Sequence, residues 1–378
     1  MRLINIHTLE FKEFFGRTRP GYAILSHRWG EREISYQDWL QYNGYHSRDS
    51  SSDTFVSRGP GYLKIIGFCR LIREATILWR PLNPDDNLKL IEWVWVDTCC
   101  IGKKSSAELS EAINSMYAWY RNAAICFVHL FDYSHMGEAD MVESLGRCEW
   151  LSRGWTLQEL LAPHYVCFYD VWWELFGVIR KFGFGGLMME DYLGRLRRAP
   201  VNLYQNVSQI TGISQHWLLG VNMSGVCLAE KMSWAAKRET TRVEDQAYCL
   251  LGIFGINMPL LYGEGHRAFG RLQKEIIGRS GDRSILLHTS WSRLLAESSQ
   301  HFESQACVIS IKQAGHILPY ATTNVGLEFR DDLYYIPLDV GLESWRRPPD
   351  ERNSQRLLNL NGRRLGVLRH WKKRSTVA

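Results

Sequence analysis

The sequence lacks the spacings that mark metal sites and disulfide frameworks. Its twelve histidines include no His-Glu-x-x-His motif and no pair four residues apart, and none of its nine cysteines forms a Cys-x-x-Cys pair. Zinc sites use such spacings, so we expect no bound metal. An odd number of cysteines in a chain of 378 residues does not suit a secreted disulfide scaffold. We therefore expect mostly buried free thiols in a reducing compartment.

Long apolar runs are also missing. No run reaches the roughly 18 residues that span a bilayer, and the stretch Met1–Glu10 has no apolar signal-peptide core. The composition, 45% hydrophobic and 22% charged, is ordinary for a soluble globular protein. We predict a cytoplasmic protein without a membrane span.

The net charge of +5 is small but unevenly distributed. Ten arginines and lysines lie between Arg346 and Arg374, where Asp350 and Glu351 are the only acids. Such a basic tail is either solvated or a binding surface for nucleic acid or acidic lipid. The mild overall charge favours the solvated tail and argues against nucleic acid as a partner.

Short apolar runs alternate with helical patterns in the first half of the chain. The runs Tyr22–Leu25, Trp93–Val96, Ile125–Leu130 and Tyr165–Phe168 predict buried strands. Strands that alternate with helices predict an α/β fold, a mostly parallel sheet with flanking helices. A long polar stretch that starts at Glu31 predicts a flexible insertion after the first of these strands.

The pattern changes in the second half. Helical spacing begins near Val201, and alternating runs such as Leu333–Leu338 return after Ala306. We therefore expect a helical extension and then a small β-containing part. The predicted boundaries are a lead-in at 1–21, the α/β domain at 22–170, the helical extension at 171–290, and a β-containing segment with the basic tail at 291–378.

Polar residues follow the apolar runs of the predicted sheet. Ser26 and His27 end the first run, and Asp97 ends the second. The carboxyl ends of parallel strands form the edge where open α/β sheets bind ligands, so these side chains are candidate binding residues. Cys99 and Cys100 lie at the same edge. They are either a nucleophile that needs a nearby base or two inert thiols, and the spacing favours the inert thiols.

Glu159 is a carboxylate among tryptophans and leucines, in the stretch Trp150–Pro163. Thr156-x-x-Glu159 has the form of a capping box, in which the glutamate only stabilises the start of a helix. If the helix instead starts near Ser152, Glu159 shares a face with Trp155. Partial desolvation would then raise its pKa. Both interpretations are compatible with the pattern.

Several blocks in sequence order resemble the fungal heterokaryon-incompatibility (HET) domain family. They are YAILSHRWG at Tyr22–Gly30, WVWVDTCCIG at Trp93–Gly102, AELSEAINSMYAWY at Ala107–Tyr120, and SRGWTLQELLAP at Ser152–Pro163. The resemblance implies a role in nonself recognition and programmed cell death. The chain departs from the family at Gly102, where members commonly have aspartate, and in a long insertion after Trp39.

That family in turn resembles TIR domains, which have a flavodoxin-like α/β sheet. The match runs from Ser26-His27 through Asp97 to GWTLQEL at Gly154–Leu160, and it places Glu159 on the glutamate of TIR domains that cleave NAD. The resemblance thus implies NAD as a substrate rather than a cofactor, with Glu159 as the catalytic carboxylate. It also implies self-association, because many TIR-like enzymes complete their sites by assembling.

The other site residues follow from the chemistry of such a substrate. Trp29 or Trp155 would stack on a base, and Arg28 or Arg153 would meet the pyrophosphate. Ser26, His27 and Asp97 would lie near the same sheet edge as Glu159.

Two other functions fit the same sequence. The chain is either a non-catalytic signalling module that binds an unknown protein partner, with Gly102 as a sign of lost chemistry, or an enzyme of specialised metabolism that acts on another small, nucleotide-type molecule. Replacement of Glu159 would leave the first of these active. The genes beside this one would reveal the second.

Overall fold

The computed structural model describes most of the first 305 residues and four short strands after them. The described residues are 1–16, 19–45, 59–75, 77–79, 89–135, 140–181, 187–188, 199–221, 225–290, 294–305, 321–323, 326–328, 359–360 and 363–364. They form two compact units. The first comprises 1–223 and 238–262, and the second 224–237 and 263–378. No described helix is long and apolar enough to cross a membrane.

The first unit is built on an eight-stranded sheet. Its strands are β1 (Arg2–Asn5), β2 (Phe11–Glu13), β3 (Tyr22–His27), β6 (Trp93–Val96), β7 (Ile125–His129), β8 (Tyr165–Tyr169), β9 (Leu175–Arg180) and β11 (Val201–Asn202). The short strands β4 (Leu78–Trp79), β5 (Lys89–Leu90) and β10 (Leu187–Met188) form a separate sheet. All four predicted strands are present, as β3, β6, β7 and β8.

The sheet order identifies the class of fold. The strands lie in the order β11-β9-β8-β7-β3-β6-β1-β2, and β6, β3, β7 and β8 pair in parallel. Numbered by appearance, these four have the order 2-1-3-4, as in flavodoxin-like sheets. Strands β1 and β2 extend one side antiparallel, and β9 pairs antiparallel with β8 on the other. The predicted mostly parallel α/β sheet is confirmed.

Helices cover both faces of this sheet. In the first unit they are α1 (Tyr36–Tyr45), α2 (Pro60–Ala75), α3 (Asp97–Cys100), α4 (Ser106–Asn122), α5 (Met141–Gly146), α6 (Glu149–Ser152), α7 (Thr156–Leu161), α8 (Tyr204–Thr211), α9 (Gln215–Leu218), α11 (Asp245–Tyr248) and α12 (Leu251–Phe254). Phe127 of β7 packs on Phe68 of α2, with ring centroids 5.1 Å apart. The thiol of its neighbour Cys126 contacts the Glu159 carbonyl oxygen of α7. Successive strand residues face opposite sides, so α2 and α7 cover opposite faces.

The segment after β3 corrects one prediction. Residues from Glu31 were predicted to be a flexible insertion, but Tyr36–Tyr45 form helix α1 and Trp39 is fully buried. Its indole lies 5.5 Å from the Tyr62 ring of α2. A few large aromatic side chains therefore anchor a stretch that is otherwise polar. The remainder, 46–58, lies outside the described residues.

The second unit contains α10 (Leu228–Ser233), α13 (Arg267–Arg279), two 3₁₀ helices (Arg283–Leu286 and Ser299–Gln305), and the strand pairs β12–β13 (Ala321–Thr323, Gly326–Glu328) and β14–β15 (Asn359–Leu360, Arg363–Arg364). The Asp282 carboxylate accepts a hydrogen bond from the Leu228 N–H, at the start of α10, at 2.9 Å. The predicted strand Leu333–Leu338 and most of the basic tail lie outside the described residues.

Candidate functional site

The site lies where β3 and β7 end side by side. In the 2-1-3-4 order these two strands flank the point at which the order reverses, where flavodoxin-like folds bind their ligands. Ser26 pairs with Val128, and His27 with His129, in parallel register. Ser26 and His27 are neighbours on a strand, so their side chains point to opposite faces of the sheet. Each of them organises a different group of residues.

On one face, Ser26 connects α7 to the sheet. Its hydroxyl donates to Oε2 of Glu159 at 2.5 Å and accepts from the Trp150 indole N–H at 2.8 Å. The Tyr120 hydroxyl of α4 donates to the Leu25 carbonyl oxygen at 3.3 Å and also interacts with the same carboxyl. Two of the predicted site residues, Ser26 and Glu159, are thus in direct contact. Tyr120 and Trp150 were not among the predicted site residues.

Burial controls the protonation of Glu159. The residue is 6% exposed, and desolvation raises its pKa to about 8, with the negative charge of Asp97 adding to the effect. The hydrogen bonds from Ser26 and Tyr120 and the charge of Arg238 act in the opposite direction but do not cancel it. Near neutral pH this carboxyl is largely protonated, and a positive charge placed beside it would favour its ionised form.

The capping-box interpretation of Glu159 is wrong. Helix α7 begins at Thr156, and no side chain of the described residues caps its N-terminus. The Thr156 hydroxyl donates to the Trp150 carbonyl oxygen at 2.5 Å, and the Glu159 carboxyl is engaged by Ser26. The alternative start near Ser152 is also not observed, because α6 ends at Ser152 before α7 begins. A three-residue spacing cannot reveal this, because it does not specify where the glutamate side chain points.

On the opposite face, His27 lies between two carboxylates. Its Nε2 is 3.6 Å from Glu33 and its Nδ1 is 3.9 Å from Asp97. Glu33 also binds Lys64 of α2 at 2.5 Å and accepts from the Gly30 N–H at 2.7 Å. Burial raises the pKa of Glu33, but His27, Lys64 and Gly30 outweigh it and lower the pKa to about 2. Glu33 is therefore a permanent negative charge.

Several buried polar atoms in this region have no hydrogen-bond partner among the described residues. They are both ring nitrogens of His27, Oε2 of Glu33, Oδ1 of Asp97, Oγ1 of Thr98 and Nε2 of His129. Burial and the nearby Lys64 and His27 lower the pKa of His129 to about 4, so it is neutral. Buried polar atoms in proteins are nearly always paired. This group is therefore well suited to bind the hydroxyl groups of a ligand.

Asp97 and Trp29 lie at the rim. The indole N–H of Trp29 donates to Oδ2 of Asp97 at 2.6 Å, and the Lys103 ammonium lies 3.4 Å from the centre of the Trp29 ring. Trp29 is 46% exposed, so one aromatic side chain is available to a ligand. Arg28 pairs with Glu149 and lies over the Phe131 ring. The structure thus brings Asp97, Trp29 and His27 together and engages Arg28 elsewhere.

Arg153 and Trp155 contact a segment later in the chain. The Arg153 guanidinium donates to the Thr241 hydroxyl at 3.1 Å, and Trp155 hydrogen-bonds to the Asp245 side chain. Both residues belong to the turn between α6 and α7, close to Glu159 in sequence. In the described conformation their polar atoms are used to hold this turn.

The Cys99–Cys100 pair and Gly102, which also follow β6, have structural roles. Cys99 and Cys100 are buried, and desolvation together with Cys100 raises the pKa of the Cys99 thiol, which disfavours a nucleophilic thiolate. The Gly102 N–H donates to the Glu108 carboxylate at 2.7 Å. A Cβ at position 102 would lie 2.4 Å from the other oxygen of Glu108. Position 102, where the family commonly has aspartate, is glycine here, and this allows Glu108 to pack on the loop.

Known proteins with similar sequences include one family and one relative of this chain. The heterokaryon incompatibility protein (HET) family matches residues 22–145. The vegetative incompatibility protein HET-E-1 of Podospora anserina is 39% identical over 266 residues, which make up 68% of this chain and 16% of that protein. The chain thus spans a minor part of that relative's length. No solved structure matches the chain.

Proposed function

Because this chain belongs, through residues 22–145, to the heterokaryon incompatibility family, we propose that it acts in fungal nonself recognition and programmed cell death. We further propose that it does so by hydrolysing NAD at the nicotinamide–ribose bond. The relative that is 39% identical over 266 residues is itself named a vegetative incompatibility protein. The catalytic part of the proposal rests on Glu159.

The observation that carries the proposal is the Ser26–Glu159 contact at the carboxyl edge of the sheet. A buried carboxyl with a pKa near 8 is costly to ionise, and strongly shifted groups of this kind concentrate at functional sites. The nicotinamide ring of NAD carries a positive charge, and so does the ribose in an oxocarbenium-like transition state. Either charge stabilises the carboxylate form of Glu159, and the carboxylate in turn stabilises the developing ribose cation.

The reaction needs only groups that lie at this edge, together with water. The bond between C1′ of the ribose and the nicotinamide nitrogen breaks, and its electron pair stays on nicotinamide, which leaves neutral. A water oxygen bonds to C1′, and the Glu159 carboxylate accepts the proton that the water loses. Nicotinamide is a good leaving group in this form, so no strong general acid is required.

The rim supplies contacts for the rest of the substrate. Oδ1 of Asp97, which has no hydrogen-bond partner among the described residues, and the ring nitrogens of His27 would bind sugar hydroxyls. Trp29 would stack on a base. Arg28 and Arg153 would meet the pyrophosphate only after leaving Glu149 and Thr241, their partners in the described conformation. Trp155 would be the alternative stacking residue, with its side chain still bonded to Asp245.

The test is nicotinamide release by the purified full chain, at dilute and at concentrated protein. We expect release that rises faster than in proportion to protein concentration, because self-association would complete the site. The value of kcat/KM should rise about tenfold per pH unit below pH 8 and level off above it, since the ionised Glu159 of the free enzyme is the working form. Absence of nicotinamide at every concentration and pH would contradict the proposal.

The burial of Glu159 favours a second function, a non-catalytic signalling module. A carboxyl that is 6% exposed and held by Ser26 and Tyr120 also serves as an internal connection between α7 and the sheet. In that case the sequence blocks that resemble the family stabilise a surface for a protein partner. Glu159→Gln would then leave cell death intact, whereas under the catalytic proposal it abolishes it.

A further inference from the structure

A segment far along the chain completes the turn that carries Glu159. Residues 238–262 join the first compact unit, although residues 224–237 before them belong to the second. The Gly154 N–H donates to the Glu239 carbonyl oxygen at 2.8 Å, and the Glu239 N–H donates to the Ser152 carbonyl oxygen at 2.7 Å. A Cβ at Gly154 would lie 2.5 Å from the Thr240 side chain. A side chain at position 154 would therefore force the Thr240 side chain to shift.

Arg238 is the buried end of this contact. The residue is 6% exposed, and its Nη1 donates to the Arg153 carbonyl oxygen and to the Thr156 hydroxyl, both at 2.9 Å. Thr156 donates in turn to the Trp150 carbonyl oxygen. One guanidinium therefore ties the end of α6 to the first residue of α7. Trp150 and Glu159, on these two helices, both contact Ser26.

We propose that Arg238 is a positioning residue for Glu159, which fixes the α6–α7 turn and places a buried positive charge beside the carboxyl. This segment lies outside residues 22–145, the part of the chain that matches the family. The catalytic consequence rests on the function proposed above, whereas the structural and electrostatic consequences do not.

The groups around Glu159 determine the direction of the expected effect. Desolvation and the charge of Asp97 raise the pKa of Glu159, and Ser26, Tyr120 and Arg238 lower it. Cys126 also faces this carboxyl, but burial raises its own pKa well above the ordinary value, so it is an uncharged thiol. Loss of the Arg238 charge therefore raises the pKa of Glu159, and the fraction of ionised carboxylate at pH 7 falls.

The test compares Arg238→Met, Arg238→Lys and the control Arg242→Met in the full chain. Arg242 lies on the same segment, is exposed, and contacts the Tyr262 ring at 4.6 Å. The Glu159 titration is followed by carbon-13 NMR of glutamate carboxyls, with Glu159→Gln to assign the signal. The pH profile of kcat/KM for NAD is measured in parallel.

We expect Arg238→Met to raise the Glu159 midpoint by about one unit or more. Arg238→Lys keeps the positive charge, so the Glu159 midpoint should stay close to its wild-type value. It should nevertheless lower kcat, because an ammonium cannot reproduce the guanidinium geometry. Arg242→Met should leave the midpoint unchanged. The proposal would be overturned if folded Arg238→Met had the wild-type Glu159 midpoint. If Arg238→Met does not fold, an unchanged kcat in Arg238→Lys would overturn it. If Arg238→Met shifts the Glu159 midpoint but the wild type does not cleave NAD, the positioning role of Arg238 stands and only the proposed reaction is rejected.

Discussion

Glu159→Gln is expected to lower kcat for NAD cleavage by about a thousandfold, the scale of losing one preorganised electrostatic contact to a transition state. Glutamine has nearly the same shape and can still accept the Ser26 hydroxyl hydrogen bond through its amide oxygen. It cannot carry the negative charge that stabilises the ribose cation, and it cannot accept the proton from water. The substitution therefore removes the chemistry and leaves the packing of α7 in place.

A matched control uses the same exchange at a distance from the site. Glu143 lies on α5 and pairs with Arg147 one turn away, with both side chains largely exposed. Glu143→Gln should keep wild-type kcat, because an exposed pair of this kind contributes little. The measurement is steady-state nicotinamide release by both variants, together with circular dichroism to confirm folding. More than a tenth of wild-type kcat in folded Glu159→Gln would exclude Glu159 as the catalytic carboxylate.

The same substitution is expected to change the pH dependence of stability by a few kcal/mol. In the folded wild type the pKa of Glu159 is about 8, raised from the ordinary value of 4.5, so the folded state binds this proton more tightly than the unfolded state does. The stability from this group is complete below pH 4.5. It then decreases by about 1.4 kcal/mol per pH unit until the pH passes 8. Glutamine does not titrate, so the variant lacks this loss.

Urea unfolding of the two proteins at pH 5, 7 and 9 measures the difference. Groups other than Glu159 contribute equally to both chains and cancel in the comparison. Relative to wild type, Glu159→Gln should gain stability with each step up in pH. A difference that stays constant from pH 5 to pH 9 would mean that Glu159 titrates alike in the folded and unfolded states, contrary to its burial.

The central sheet could be predicted because its signal is local. Each parallel strand is a short apolar run that is buried on both faces, as in β3, where all six residues are buried. The polar residues that follow such runs gather at one edge by the geometry of parallel strands, so Ser26, His27 and Asp97 could be grouped from sequence. Their partners could not all be found in this way.

The missing partners are residues that only the folded chain brings together. Glu33 lies in a polar stretch that predicts flexibility, yet His27, Lys64 and the Gly30 N–H hold its carboxylate. Arg238 is 79 residues beyond Glu159 in the sequence, and it carries no local pattern that marks it as buried. The direction of the Glu159 side chain was likewise hidden, because the Thr156-x-x-Glu159 spacing is the same whether the carboxyl caps a helix or, as observed, bonds to Ser26.

The measurement that most directly tests the account is the pKa of the Glu159 carboxyl with and without a bound cation. Carbon-13 NMR of the full chain, with Glu159→Gln for assignment, follows the titration in the presence of increasing N-methylnicotinamide cation, a stand-in for the charged ring of NAD. We predict a pKa near 8 in the free protein and a fall of about one unit or more as the cation binds. A free pKa near 4.5, or one near 8 that the cation does not move, would contradict the claim that Glu159 is the group that stabilises positive charge at this site.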